Sequence, residues 1–288
     1  MLRFKSYVKK SAIGLALSSN PLAFESAKRL VMNLMKVKYE PVMSELKEPV
    51  CCISIDFDVT NPSRALANSE GTKVLLSLSE KYEVPLTWAV CGKTVQDYDS
   101  VFEQILSSTS EKEIAVHTYS HIDVSRCTKS ELLEDLDKFK AVVGISDFST
   151  FIFPWNKVGH FDTLRELGFI AYRGKDRRIG MPTKNEGLWN ISPVAYAGSN
   201  MYYQDFLPIR LLDLCVKTGS VFHLWTHPWD IALPSAKEYT NRVLEPLFYR
   251  LSSYKKSGLI KTMTMENLAK YMNQKENLPS MVAEGVSP

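Results

Sequence analysis

Four of the five histidines in this chain stand in pairs four residues apart, His117/His121 and His223/His227, and the fifth, His160, closes the run 153–160. Ile114, Ala115 and Val116 read as a short buried strand, and His117 and His121 follow where the chain leaves it. If the chain turns helically there, residues i and i+4 share a face, and two imidazoles can grip one ion. Two neutral imidazoles fall short of a catalytic zinc site, which generally takes three protein ligands and keeps one position open for water. A carboxylate source stands at the end of another predicted strand, in Ser54-Ile55-Asp56-Phe57-Asp58. Histidine pairs at this spacing also arise by chance. Confinement of all five histidines to three short runs argues instead that they serve chemistry.

The elements that must carry these residues alternate. From Pro49 the chain reads as repeated strand–helix units, with strands at 50–57, 84–92, 113–117, 148–153, 169–172, 220–226 and 259–263. Helices are expected at 72–82, 128–143, 159–167, 207–217, 236–254 and 265–272, and 174–205 reads as an irregular, Gly-, Asn- and Pro-rich connection. About seven units of this kind predict an α/β fold, a distorted (β/α)7-type barrel whose parallel sheet is closed or nearly closed. In such barrels the chemistry sits at the C-terminal ends of the strands. Asp56/Asp58, His117/His121, Pro154/Trp155 and His227 each fall at the predicted C-terminal end of a different strand. Core histidines and acids scattered for packing have no reason to do that.

These runs, in this order, resemble the NodB-type polysaccharide deacetylases of carbohydrate esterase family 4, over roughly residues 50–273. SIDFDVT looks like the first family motif, HTYSH the second, and FPWNK stands in the place of the third. HLWTHPW looks like the last, and the softer VPLTWAVCG and KTMTMENLAKYM resemble the second strand and the closing strand–helix. The resemblance implies that Asp58, His117 and His121 hold a divalent ion, zinc or else cobalt, nickel or iron. It implies that Asp56 is the general base and that His227 protonates the departing amine. Two acids in alternation suit that division, because residues i and i+2 of a strand aim at one place from different depths. Trp155 falls in a slot whose backbone N–H helps hold the oxyanion, and its ring can line a sugar site; the competing reading is ordinary packing. Asn156 is a candidate polar contact beside it. The family's usual motif-three Arg, which braces the base, is replaced by Ile152, and in the Phe-Pro-Arg-Asn-Gln subgroup pattern by Trp155. Arg173, two residues past Ala171, can supply the missing guanidinium from the next strand and is grouped with the substrate-binding candidates. His223, in mid-strand below the site, and His160, at a helix start, read as structural.

The implied activity is metal-dependent removal of N-acetyl groups from a sugar in a glycan or glycan precursor. Two other readings share the residues: hydrolysis of a cyclic amide or ureide such as allantoin, and a degenerate relative that only binds glycan. Trp189, Tyr196, Tyr202 and Tyr203 in the 174–205 connection favour a sugar substrate, and retention of both acids with His227 speaks against the binding-only reading.

Composition sets the remaining bounds. A chain of 288 residues, 45% hydrophobic and 23% charged, has ample core for one barrel-sized domain plus an appendage. The division read from the sequence is 1–45, a basic amphipathic helical extension; 46–275, the catalytic barrel; and 276–288, a loose tail. Residues 1–40 hold eight Lys/Arg against two Glu, so the remainder of a +3 chain is net negative and nucleic acid is not an expected partner. A basic amphipathic helix can rest on an anionic membrane, or it can pack on its own domain with a solvated basic face. Arg3, Lys5, Lys9 and Lys10 ahead of the apolar 12–17 have the outline of a secretory signal, but that apolar run is weak and Ser18-Ser19-Asn20-Pro21 follows it. Five cysteines, odd in number and without Cys-x-x-Cys spacing, fit a reducing compartment, and a cytoplasmic location is expected.

Overall fold

The computed structural model describes residues 38–39, 49–59, 61–174, 177–198, 207–232 and 236–277. The predicted helices of 1–45 and the tail from 278 lie outside the described residues, as do Tyr202 and Tyr203. In chain order the strands are β1 (Lys38–Tyr39), β2 (Val50–Phe57), β3 (Leu86–Val90), β4 (Lys112–Val116), β5 (Thr150–Ile152) and β6 (Ala171–Arg173). They continue as β7 (Arg178–Ile179), β8 (Thr183–Asn185), β9 (Leu188–Asn190), β10 (Ala195–Tyr196), β11 (Val221–Thr226) and β12 (Lys261–Thr262).

The main sheet runs β10-β11-β2-β3-β4-β5-β6-β9-β8, with β12 also paired to β2. Every pair on that path is parallel except β8 with β9. The sheet curls into the expected barrel-like arc, with helices on its outer face. β2 sits inside the sheet, third from its β10 end, as suits an unbroken apolar run such as Val50–Phe57, buried at all eight positions and covered on both sides. The helix Lys129–Val143 begins where the sequence supplies a capping box, Thr128 with Glu131, and ends at Gly144, whose φ of 69° is left-handed.

Two packed regions follow from strand alternation. Ile53, Ile55, Phe57, Trp88, Val116, Phe151 and Phe153 face outward into the layer between sheet and helices. Val50, Cys52, Ala89, Ala115 and Ile152 face inward and are plugged from below by Met265, Leu268 and Ala269 of the helix Met265–Asn277. The inward side is therefore apolar at its floor. Higher up it turns polar, because on β2 the inward series Val50, Cys52, Ser54, Asp56 runs from apolar to acidic.

Several boundaries differ from expectation. The connection 174–205 holds four short strands, β7 to β10, each of two or three residues and so too brief to show a period. The last strand shrinks from five expected residues to Lys261–Thr262 and hangs on the lower end of β2. The helix expected over 236–254 is interrupted by a wide turn at Thr240–Leu244 before resuming as Glu245–Lys256. No helix among the described residues is long and apolar enough to cross a membrane.

Candidate metal and catalytic site

At the mouth of the arc, β2 delivers Asp56 and, one residue past its end, Asp58. β4 delivers His117 just past its end, and His121 follows in the next turn. Asp58 Oδ2 lies 3.0 Å from His121 Nε2 and 3.9 Å from His117 Nε2. All three ligand atoms fall within 4.8 Å of one another. Two ligand atoms on one tetrahedral zinc stand roughly 3.4 Å apart, so this spacing suits a single ion.

The donor chemistry fits as well. His117 Nδ1 lies 2.7 Å from the Ile152 carbonyl oxygen, which can only accept, so that nitrogen carries the hydrogen. His117 Nε2 is thereby left as a lone pair, buried and without a hydrogen-bond partner among the described residues. This is the usual way in which a second contact fixes the tautomer of a metal-ligating histidine. Burial pushes the Asp58 carboxyl up, but the imidazoles of His117, His121 and His227 gathered around it outweigh that and hold it well below the usual carboxylate range. An anionic oxygen and two imidazole nitrogens form a borderline donor set suited to zinc and its first-row neighbours.

The turn that carries the two histidines is held in an uncommon shape. Thr118 and His121 have φ of 62° and 58°, and across the site Trp155 and Asn156 have φ of 58° and 54°. A left-handed β-branched residue such as Thr118 persists only where its surroundings over-determine it. Here they do. Asp135, buried on the helix Lys129–Val143, accepts from Tyr119 N at 2.6 Å, Ser120 N at 3.1 Å and Ser120 Oγ at 2.5 Å. From the other side Gly92 N and Lys93 N donate to the carbonyls of Thr118 and Tyr119.

Asp56 is 3% exposed and bound in a fork: Arg173 Nη1 donates to Oδ1 at 2.6 Å and Nη2 to Oδ2 at 2.5 Å. Burial raises the Asp56 carboxyl, but the Arg173 guanidinium more than offsets it, and the net direction is down. Arg173 is only 1% exposed and faces the acid from below. Its guanidinium is engaged by Asp56 and Ser54.

His227 caps the turn Pro228–Ile231 at the end of β11. Its Nε2 points between the acids, 3.7 Å from Asp58 Oδ1 and 4.0 Å from Asp56 Oδ2. Trp229 stacks on its ring at 4.4 Å and 26°, while the Trp229 Nε1–H donates to the Asp58 carbonyl at 3.0 Å. Burial lowers the His227 pKa against the opposing pull of Asp58 and Asp56. Trp155 stands 60% exposed at the rim, its ring edge-on to His121 at 4.7 Å. Asn156 follows it, with a buried Oδ1 that has no partner among the described residues. Trp189, expected near a sugar, is instead buried, with its Nε1 donating to Asn273. His160 donates or accepts at the Cys127 carbonyl only in the former sense, so its Nε2–H ties two loops together away from the site.

Three contributors escape a motif reading: Asp135, Trp229 as a contact of Asp58, and Ser54, which accepts from Arg173. Ser54 had a legible signal, since it lies two residues before Asp56 and so shares its face.

Residues 46–152, which carry Asp56, Asp58, His117 and His121, match the polysaccharide deacetylase family model. The solved structure of a protein assigned as a polysaccharide deacetylase from Mycobacterium smegmatis superposes with a TM-score of 0.67 at 16% identity, covering 87% of this chain and 100% of that one. The Puue allantoinase superposes with a TM-score of 0.60 at 13% identity, covering 78% and 90%. At such identities these two show the fold. A protein of Vairimorpha ceranae (strain BRL01), named as a probable cytoplasmic asparagine–tRNA ligase, is 24% identical over 217 residues. That alignment covers 68% of this chain and 46% of the relative, so the chain spans under half of that protein's length. The family match thus spans the strands that carry the acids and the His117/His121 pair, and the fold across the barrel is the one shared with these solved structures.

Proposed function

We propose that the chain is a metal-dependent hydrolase that removes N-acetyl groups from an N-acetylhexosamine in a glycan or glycan precursor. The observation that carries the reading is convergence: Asp56, Asp58, His117, His121 and His227 leave three strands and meet around one point, with Asp58 within 4 Å of all three imidazoles. Asp58, His117 and His121 would hold the cation, which when bound acidifies water and polarises the acyl carbonyl.

The chain's own groups do the rest. Asp56, held anionic by Arg173, takes a proton from the attacking water. His227, across the site, gives a proton to the amine nitrogen as the C–N bond breaks. General acid–base help of this kind contributes roughly 10²–10⁴-fold. Trp155, exposed at the rim, offers a flat apolar face of the sort that pyranose rings stack on, and by the family resemblance its backbone N–H would meet the oxyanion.

The fold shared with an allantoinase keeps a cyclic ureide in view as a second substrate class. Acetate release from a panel of N-acetylated mono- and oligosaccharides, run with and without a chelator and beside a ureide arm, tests the reading. Chelator-sensitive acetate release supports it. Ureide hydrolysis without acetate release, or no turnover of any kind, overturns it.

A further inference from the structure

His223 is the member of the second histidine pair that the proposed chemistry leaves unused. It lies on β11 four residues before His227, an even spacing that puts both on the inner face of the strand. It is fully buried, one layer below the acids. Its Nδ1 lies 2.8 Å from the Ile191 carbonyl oxygen, an acceptor only, so Nδ1 carries the hydrogen. Burial, reinforced by the charge of Arg173, pushes the ring's pKa down to about 3, so it is neutral and its Nε2 is a lone-pair acceptor.

The direction of each remaining hydrogen bond follows. Ser54 Oγ, 2.8 Å from His223 Nε2, must donate to it. The Ser54 oxygen then accepts from Arg173 Nη1 at 3.0 Å. Both hydrogens of that Nη1 are now used, one on Ser54 and one on Asp56 at 2.6 Å. A two-point fork alone lets a carboxylate and a guanidinium pivot together. A third contact away from the fork, with the Trp225 ring 4.7 Å from the guanidinium carbon, removes that freedom. All four polar groups are buried, where an unmade hydrogen bond is costly and the geometry is correspondingly well determined.

We propose that Ser54 and His223 are positioning residues for the base: the fixed tautomer of His223 orients the Ser54 hydroxyl, which locks the Arg173 guanidinium and through it the aim of the Asp56 carboxylate. The inference rests on the reading of Asp56 as the base.

The test compares wild type with Ser54→Ala, His223→Leu and His223→Gln, each loaded with zinc. Ser54→Ala and His223→Leu lower kcat about tenfold, since a small misplacement of a catalytic group is expensive, while KM and metal content stay near wild type. His223→Gln keeps an acceptor in reach of Ser54 and recovers most of that loss. The pair Ser54→Ala/His223→Leu is no worse than either single change, because both break one chain. Wild-type kcat in Ser54→Ala overturns the proposal, as does a loss in His223→Leu that His223→Gln fails to recover. If Ser54→Ala proves too unstable to assay, the two His223 variants decide on the same criterion. Nitrogen NMR supplies a readout independent of turnover. Slowly exchanging Arg173 Nη–H signals in wild type that are lost in Ser54→Ala support the relay, and identical signals in both overturn it. Absence of turnover in wild type counts against the deacetylase reading alone, and the NMR comparison then decides the relay.

Discussion

On the proposed site, removing Asp58, His117 or His121 would leave two ligands for an ion that prefers three from the protein, whereas removing His227 would leave the set intact. The two kinds of variant are therefore expected to part company. His117→Ala loses bound zinc on dialysis along with activity. His227→Ala keeps zinc and loses roughly 10²–10⁴-fold in kcat, the usual worth of a general acid. Metal content measured beside rate separates them, and parallel loss of zinc in His227→Ala counts against its role. Arg173 supplies a finer case. Its planar fork matches Asp56 with two short bonds, which a lysine ammonium cannot copy. Arg173→Lys is thus expected to keep the charge and the zinc yet lower kcat by at least about tenfold, since the base loses its aim. Spacing at strand ends made the two acids and the ligand histidines visible in the sequence. The contacts behind them were not visible, because Ser54 meets His223 across 169 residues of chain and Asp135 meets Ser120 across 15, and no local pattern records such contacts.

At the scale of elements, the turn 117–121 connects a strand to its ligands through two left-handed residues, and a helix holds it there. Asp135 satisfies two backbone N–H groups and one hydroxyl of that turn. Asp135→Ala leaves those donors unpaired and lets Thr118 and His121 relax toward ordinary backbone angles. Zinc affinity is then expected to fall 10- to 100-fold, the customary cost of losing a group that orients metal ligands. Competition with a chromophoric chelator measures it, and unchanged affinity would show that the flanking bonds from Gly92 and Lys93 suffice alone. The strands that carry the site were legible for a matching reason. β2 and β3 are apolar runs buried at every position, and β4 carries the short apolar run Ile114–Val116, so their C-terminal ends can be read to within a residue or two. β8 to β10 are two or three residues each, so period and composition say little about them. The wide turn at Thr240–Leu244 has no sequence marker that we recognise.

Across the described barrel the interior grades from apolar floor to polar mouth, interrupted by a buried polar group around Glu113. On β4 the inward series is Glu113, Ala115, His117, which puts a carboxyl at the floor and a ligand at the top. Glu113 Oε2 accepts from Thr87 Oγ1 at 2.8 Å and from Glu266 N at 3.0 Å, in the first turn of the helix that plugs the barrel. That helix end favours a negative charge, but burial dominates and raises the carboxyl above its ordinary value of 4.5. The sign of the linkage is then fixed. Between 4.5 and its raised folded value, the native state binds a proton that the unfolded chain has released, so stability falls as pH rises through that window. Below the window both states are protonated and the effect vanishes. Glu113→Gln keeps the acceptor for Thr87 and Glu266 without the titration, so its stability lacks this fall. The variant is therefore expected to gain on wild type from pH 4.5 toward neutrality, by about 1.4 kcal/mol for each unit by which the folded pKa is raised. For a domain of this size, each kcal/mol appears as about 2–4 °C in melting temperature. Melting curves of both proteins at half-unit pH steps measure the difference. A gap that stays constant across the range would mean that Glu113 titrates alike in the folded and unfolded chain, and that the barrel floor is wetter than its packing implies.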